Sequence, residues 1–393
     1  GALLLMAGPW PLWAAPLRQT GGPVIIATGD ISNCSNWQDE ETARLVEAID
    51  GTVLALGDLA YEVGSVQEFN DCYGPTWGRF KGRTRPVPGN HEYGKGNASD
   101  YFTWWGDLAT PLQPGCTVDC KGYYSFDIGA WHIVALNSEL ANQAGSEQEQ
   151  WLRADLAAHP TACTLAYWHR PTFSSGSHTG GAVIDLYQAL YDYGADLLLV
   201  GHDHDYERFA PHSPGGQYEP DRGLRQIVVG TGGAQLRDFR FIQPNSEARS
   251  SETFGVLKVT LHPTSYDWEF IPIPSQSFRD AGSSNCVSAG NLPVAPVVAT
   301  TAPAAAPAAP AEATTVAANT VVANNAVAAP VEVAGPLVAG LDYVVQDGDT
   351  LSAIGIRYGL DWREIAPANN LADGSIIQGG QIIRLPGGPG DAN

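Results

Sequence analysis

Five times along the chain an apolar run stops, usually at a glycine, and is followed at once by a residue able to hold a metal ion. "VIIATGD" ends at Asp30, "TVLALGD" at Asp58, "RPVPGNH" at Asn90 and His91, "TLAYWH" at His169, and "DLLLVGHDH" at His202 and His204. In open α/β sheets the carboxyl ends of the strands converge on one crevice, so residues far apart in sequence become neighbours there. A lone Asp after a strand is an ordinary turn former or helix cap. The ordered recurrence of Asp, Asn and His at strand ends is not explained by independent caps.

The stretches between these runs support an α/β reading, because short apolar runs alternate with amphipathic ones. "ETARLVEAI" repeats its apolar positions at helical spacing before Gly51. Ser146 and Glu149 have capping-box spacing ahead of "WLRADLAA", and "AVIDLYQALYDYG" reads as a third helix closed by Gly194. After Gly223, "RQIVVG", "FGVLKVTL" and "SYDWEFIPI" follow one another without helices, which predicts an antiparallel meander.

The donor types select the kind of site. Carboxylates, imidazoles and an amide oxygen without a thiolate suit hard or borderline cations such as iron, manganese and zinc. They are too many for one tetrahedral ion, whereas two ions roughly 3.5–4 Å apart and bridged by a carboxylate would use them and would clamp a phosphorus centre. His202 and His204, two apart, point to one side if their segment is extended, and Asp203 then points away as a turn or supporting residue.

Charge agrees with that requirement. The chain of 393 residues has 42 Asp and Glu against 21 Lys and Arg, so it lacks the basic surface for nucleic acid or anionic membrane and needs a cation to hold a phosphate. Residues 1–22 begin with an apolar stretch too short and Pro-rich to span a bilayer, read as an export-signal remnant or an apolar N-terminal arm. The six cysteines contain no C-x-x-C pair, and an even count in an exported chain suggests disulfides. Cys116 with Cys120 is the first pair expected; Cys34 with Cys72 and Cys163 with Cys286 would complete the set. Residues 288–340 collapse to Ala, Val, Pro and Thr and are expected to act as a linker between a large unit, 23–287, and a small one, 341–386.

Taken in order, "GD" at Asp30, "GDLAY" at 57–61, "GNHE" at 89–92, His169 before "RP" and "GHDH" at 201–204 resemble the blocks of the calcineurin-like metallophosphoesterases. "GDLAY" is similar to the purple acid phosphatase branch, and Ser32 stands where many other members place a His. The resemblance implies a four-layer αββα sandwich, two mixed sheets flanked by helices. It also implies a dinuclear centre, Fe(III) plus a divalent Zn, Mn or Fe ion, that activates water as the nucleophile. Carried over, Asp30, Asp58, Tyr61 and His204 would hold one ion, and Asp58, Asn90, His169 and His202 the other, with Asp58 bridging. His91 is expected to contact the phosphate or leaving group, and His178 to serve as a general acid. Glu92, Tyr206 and Arg208 are expected as supporting or surface groups, and "VVGTGG" at 228–233 as a tight turn beside the site. Asn33-Cys34-Ser35 and Asn97-Ala98-Ser99 fit the glycosylation sequon, a match that also arises by chance.

"YVVQDGDTLSAIGIRYG", "ANN" and "GGQIIRLP" within 341–386 resemble the LysM module, which implies a βααβ fold and binding to N-acetylglucosamine polymers such as peptidoglycan or chitin. The resemblance places the glycan groove at Gly348, Asp349 and Thr350 and at the segment reaching Ile376 and Ile377. The combined expectation is a secreted, wall-associated phosphatase, acting on monoesters rather than diesters, with no stable membrane span. The alternative is a catalytically silent phosphatase fold serving as a wall-binding scaffold.

Overall fold

The computed structural model describes residues 21–35, 37–177 and 183–287, and in the C-terminal region 341–345, 354, 365, 368–369, 371 and 381–385. In chain order the first strands and helices are β1 (Val24–Thr28), β2 (Ser32–Asn33), α1 (Gln38–Glu47), β3 (Thr52–Leu56), β4 (Ala60–Tyr61), α2 (Val66–Glu68), β5 (Thr84–Val87) and α3 (Ser99–Trp105). There follow β6 (Tyr124–Ile128), β7 (Trp131–Ala135), α4 (Glu147–Ala158), β8 (Cys163–Tyr167), α5 (Ile184–Asp192), β9 (Leu197–Val200), β10 (Tyr206–Phe209) and β11 (Arg225–Val229). The large unit ends with β12 (Ser246–Ser250), β13 (Gly255–His262), β14 (Ser265–Pro272) and β15 (Asp280–Asn285).

Two mixed sheets result. The first runs β15-β14-β13-β1-β3-β5 and the second β12-β10-β11-β9-β8-β7-β6. Ile25, Ala27, Leu54 and Leu56 of the first meet Ile133, Leu165, Leu197 and Leu199 of the second in a shared core. The alternate residues face outward: Ile26, Val53 and Ala55 pack with Ala43 and Val46 of α1, and Leu198 and Val200 pack with Leu152 of α4 and Leu186 of α5. Each central strand is therefore covered on both faces, which is why its sequence is apolar throughout rather than alternating. Burying one such Leu or Ile side chain stabilises the fold by about 1.5–3 kcal/mol. The arrangement is the expected four-layer sandwich of helix, sheet, sheet and helix.

The expected meander is corrected in part. β11 leaves it, pairing parallel to β9 and antiparallel to β10 in the second sheet. β13, β14 and β15 form a true antiparallel run, but at the edge of the first sheet, where β13 also pairs with β1. The capping box at α4 is half formed. Ser146 Oγ accepts from Glu149 N at 3.3 Å, while the Glu149 carboxylate turns to Gly145 N at 3.0 Å.

Disulfides join Cys34 to Cys72, Cys116 to Cys120 and Cys163 to Cys286, with Cα separations of 5.1, 5.9 and 5.5 Å. The last bond ties residues 123 apart, a loop whose closure restrains the unfolded chain by about 5 kcal/mol in the chain-entropy account. Among the described residues no helix is long and apolar enough to cross a membrane.

In the small unit β16 (Leu341–Val344) pairs antiparallel with β17 (Ile382–Leu385), Tyr343 opposite Ile383. Ile365 and Ile383 are buried. Asn369 locks the second strand in place, its Nδ2 donating to Arg384 O at 2.7 Å and its Oδ1 accepting from Arg384 N at 2.6 Å. The expected glycan-groove positions Gly348, Asp349, Thr350, Ile376 and Ile377 lie outside the described residues, as do the N-terminal arm and the linker.

Candidate metal centre

Both sheets bring their strand ends to one place. Asp30, Asp58 and Asn90 follow β1, β3 and β5, while His169, His202 and His204 follow β8 and β9. Asp30, Asp58 and His202 have φ of 58°, 52° and 72°. In this left-handed region a non-Gly residue stores roughly 1–2 kcal/mol, and the backbone turns sharply so that the side chain points back across the strand ends. Space is reserved around them. A Cβ on Gly89 would come 2.2 Å from Asp58 Oδ1, and one on Gly201 2.7 Å from Asp30 Oδ2.

The donor atoms fall into two sets. In one, Tyr61 OH lies 2.9 Å from Asp30 Oδ1, 3.4 Å from Asp58 Oδ2 and 3.2 Å from His204 Nε2, and His204 Nε2 is 3.2 Å from Asp30 Oδ1. In the other, His169 Nε2 lies 3.1 Å from Asp58 Oδ2, 3.2 Å from Asn90 Oδ1 and 3.1 Å from His202 Nδ1. Asp58 Oδ2 belongs to both. Asp30, Asp58, Tyr61, His169, His202 and His204 are all buried.

The reverse side of two of the imidazoles is held by backbone carbonyls. His169 Nδ1 donates to Leu56 O at 2.9 Å and His204 Nδ1 to Gln235 O at 2.7 Å. These bonds fix the tautomer and leave each Nε2 lone pair directed into the cluster. Lone pairs of nitrogen, carboxylate and amide oxygen then converge at contact distance, an arrangement able to hold a cation between them. Without one, a proton takes that place. Burial disfavours charge on His169, but the facing Asp58 outweighs it and pushes the imidazole up to about 10. Asp58 is buried too, yet His169 holds its carboxyl well below the usual carboxylate range. Burial first, then Asp30 and Asp58, push the Tyr61 phenol up, so only a strong Lewis acid would ionise it. Hard oxygen and borderline nitrogen donors without sulfur fit iron, zinc or manganese.

Glu92, expected as a supporting or surface group, is buried and ties two ligand loops together. Its Oε2 accepts from Asp58 N at 2.9 Å and Gly89 N at 2.7 Å, and its Oε1 from Leu59 N at 2.7 Å. Burial, then the negative charge of Asp58, push this carboxyl up to about 7. His91 stands beside the centre. Its backbone N donates to Asp58 Oδ1 at 2.8 Å, its Nδ1 meets Glu62 O at 2.6 Å, and its Nε2 is turned to the centre, 3.8 Å from Asp58 Oδ2. The turn at Asn90 and His91 gives the ring this direction.

The segment 202–205 is likewise bent rather than extended, so His202 and His204 converge through the positive φ of His202 and not through strand alternation. Asp203 points away as expected, accepting from Ser174 Oγ and from Ser177 N. Tyr206 and Arg208 both bind Asp280 instead of the centre. "VVGTGG" does turn beside the site, where a Cβ on Gly230 would strike Asp203 O at 2.0 Å. His178 lies outside the described residues. Sequence reasoning missed Arg170, whose Nη1 stands 3.3 Å from His202 Nε2 while Glu139 grips its Nε at 2.8 Å and its Nη2 at 3.0 Å. The position directly after His169 was the available signal.

Comparison with known proteins agrees with this geometry. Residues 23–206 match the calcineurin-like phosphoesterase family and residues 343–386 the LysM domain. The chain is 30% identical over 242 residues to "Purple acid phosphatase 15" of Arabidopsis thaliana, covering 53% of this chain and 44% of that protein. It is 25% identical over 257 residues to "Probable inactive purple acid phosphatase 1" of the same plant, covering 56% of this chain and 41% of the relative. The chain thus spans about half the length of the curated relatives it matches. The fold is shared with the purple acid phosphatase PPD1 of yellow lupin (Lupinus luteus), at TM-score 0.52 and 22% identity over 68% of this chain and 54% of that one. Residues 23–206 are thus similar to the calcineurin-like phosphoesterases, with purple acid phosphatases among the chain's relatives, and residues 343–386 to the LysM domain.

Proposed function

We propose that the protein is an exported phosphomonoesterase with a dinuclear metal centre, held at cell-wall glycan by its LysM domain. The convergence of two donor sets on the shared Asp58 Oδ2 carries this reading. Asp30, Tyr61 and His204 would complete one ion's ligands, and Asn90, His169 and His202 the other's. When bound, such a pair lowers the pKa of water at the site and offsets the charge of a phosphate.

The remaining work falls to the chain's own groups. Asp58 fixes the spacing of the two donor sets, and Glu92 fixes Asp58 through its backbone. His91, with Nδ1 bound to a carbonyl and Nε2 open, is placed to contact the phosphate or pass a proton to the departing alkoxide. His178 is proposed as a second acid from its sequence position alone. The name of one relative includes the word inactive, yet here every donor type of the two sets is present, which favours an enzyme over a silent scaffold.

One experiment tests the reading: metal analysis of the purified protein together with turnover of an aryl phosphate and its diester analogue. The expected result is at least two ions per chain and faster cleavage of the monoester. Full metal loading without cleavage of either substrate would return the protein to the scaffold reading. Export and wall binding are supported by the disulfides and the LysM match, and binding to insoluble peptidoglycan or chitin tests them.

A further inference from the structure

A second group of metal-ligand residues stands at the opposite end of the second sheet. His132 of β7 is paired in register with Thr164, five positions before His169, which places it about 16 Å from the proposed centre at ~3.3 Å per strand residue. Its Nε2 is 2.8 Å from Asp155 Oδ2, and its Nδ1 is 2.9 Å from Asp127 Oδ1. His159, one turn after Asp155 at the end of α4, brings its Nδ1 to 3.4 Å from Asp155 Oδ1. The two imidazole rings lie 4.5 Å apart and within 14° of parallel. Ser125 Oγ donates to Asp155 Oδ1 at 2.8 Å, which holds that carboxylate in place.

We propose that His132 Nε2, Asp155 and His159 Nδ1 bind a zinc ion, with Asp127 orienting His132 from behind. Tetrahedral zinc with bonds of about 2.0–2.1 Å sets its ligand atoms about 3.3 Å apart, and the two imidazole nitrogens stand 2.8 Å from one oxygen of Asp155 and 3.4 Å from the other, close to that spacing. A carboxylate bound to the far nitrogen of a ligating histidine is a recurrent feature of zinc sites, and Asp127 occupies that position. The donor set of two imidazoles and a carboxylate suits a borderline divalent ion, with a fourth position open to solvent beside His159, whose side chain is 43% exposed.

The rival is a proton: an imidazolium at His132 bridging Asp127 and Asp155, with His159 Nδ1 merely donating to Asp155 O at 2.8 Å. Charge separates the two. One imidazolium leaves a net negative charge on its two carboxylates, the largely buried Asp155 and the exposed Asp127. A divalent ion neutralises both carboxylates while both rings stay neutral. Its effect would be to fasten the end of α4 to β7.

The test uses the full chain, stripped by chelator, reloaded with zinc alone, dialysed and analysed for zinc per chain. His159→Ala should hold one zinc fewer than the parent and cleave an aryl phosphate at an unchanged rate. Asp155→Asn, which keeps the shape of the carboxyl group, should lose the same single zinc. Equal zinc content in parent and His159→Ala would overturn the site in favour of the bridging proton. Loss of a zinc together with hydrolysis would overturn it as well, by assigning that ion to the catalytic centre.

Discussion

Asp58 shows how much one residue does here: its backbone N reaches Glu92, its Oδ1 receives His91 N, and its Oδ2 faces both Tyr61 and His169. Asp58→Asn is the informative substitution, because Asn tolerates the left-handed backbone while losing the charge. It should release metal and leave only a trace of turnover, with the circular dichroism spectrum unchanged; substantial turnover in a folded variant would remove the bridging role. Glu92→Gln keeps the shape but weakens the grip on the loop amides. Metal affinity or turnover should fall about 10–100-fold, the usual cost of losing a group that orients a ligand. Titrating metal into the variant reads this directly. Tyr61 sets a spectroscopic expectation. If ferric iron binds its phenolate, the oxidised protein is pink to purple, and Tyr61→Phe bleaches it without shifting the thermal midpoint. Colour surviving that change would place the chromophore elsewhere.

At the scale of elements, the two sheets are joined outside their apolar core by one carboxylate. Asp280 of β15 accepts from Tyr206 OH at 2.7 Å and Arg208 Nε at 2.7 Å, both on β10, and from Trp268 Nε1 at 3.1 Å on β14. Burial opposes its charge, but the bonds from Arg208 and Tyr206 outweigh it and hold the carboxyl below the usual carboxylate range. A depressed native pKa contributes stability that is present above the unfolded value, near 3.9, and is lost as pH falls through the native value. Asp280→Asn should therefore cost about 2–3 kcal/mol at pH 7, with the gap to the parent closing below about pH 4. Denaturant melts at several pH values would show it, and a pH-independent gap would assign the loss to packing.

The same elements show what the sequence reveals and what it hides. The runs ending at Asp30, Asp58, Asn90, His169 and His202 are legible because a strand covered on both faces must be apolar throughout. "RQIVV" and "FGVLKVTL" look alike, yet one joins the second sheet and the other the first, because the parallel partner of β11 lies 28 positions away (Arg225 opposite Leu197) and the β1 partner of β13 lies 236 away (Thr260 opposite Val24), and neither leaves a local trace. The grip of Glu139 on Arg170 spans 31 positions and is hidden for the same reason. The direction of His91 depends on a turn, and the burial of Glu92 on three backbone amides that no periodicity announces.

For the whole molecule, the two matched regions are expected to work independently. The 288–340 stretch has the composition of a tether and no pattern able to carry strain from one to the other. Truncation near Ala299 should leave turnover of a soluble substrate unchanged and abolish retention on insoluble peptidoglycan or chitin. Sedimentation of both forms with the polymer would measure it, and equal retention would remove the anchoring role.

The Cys163–Cys286 bond and the hydrogen bond from Val287 N to Asp196 determine how mechanical load would enter the large unit. Cys163 begins β8, at the end of the second sheet remote from His169. A pull on the chain beyond residue 287 is thus received as shear along a buried central strand, through a covalent bond, rather than as peeling of the edge strand β15. The crevice, at the far end of that strand, would stay open and undeformed under such a pull. Reduction of this one bond would redirect the same force onto β15 and unzip the first sheet from its edge.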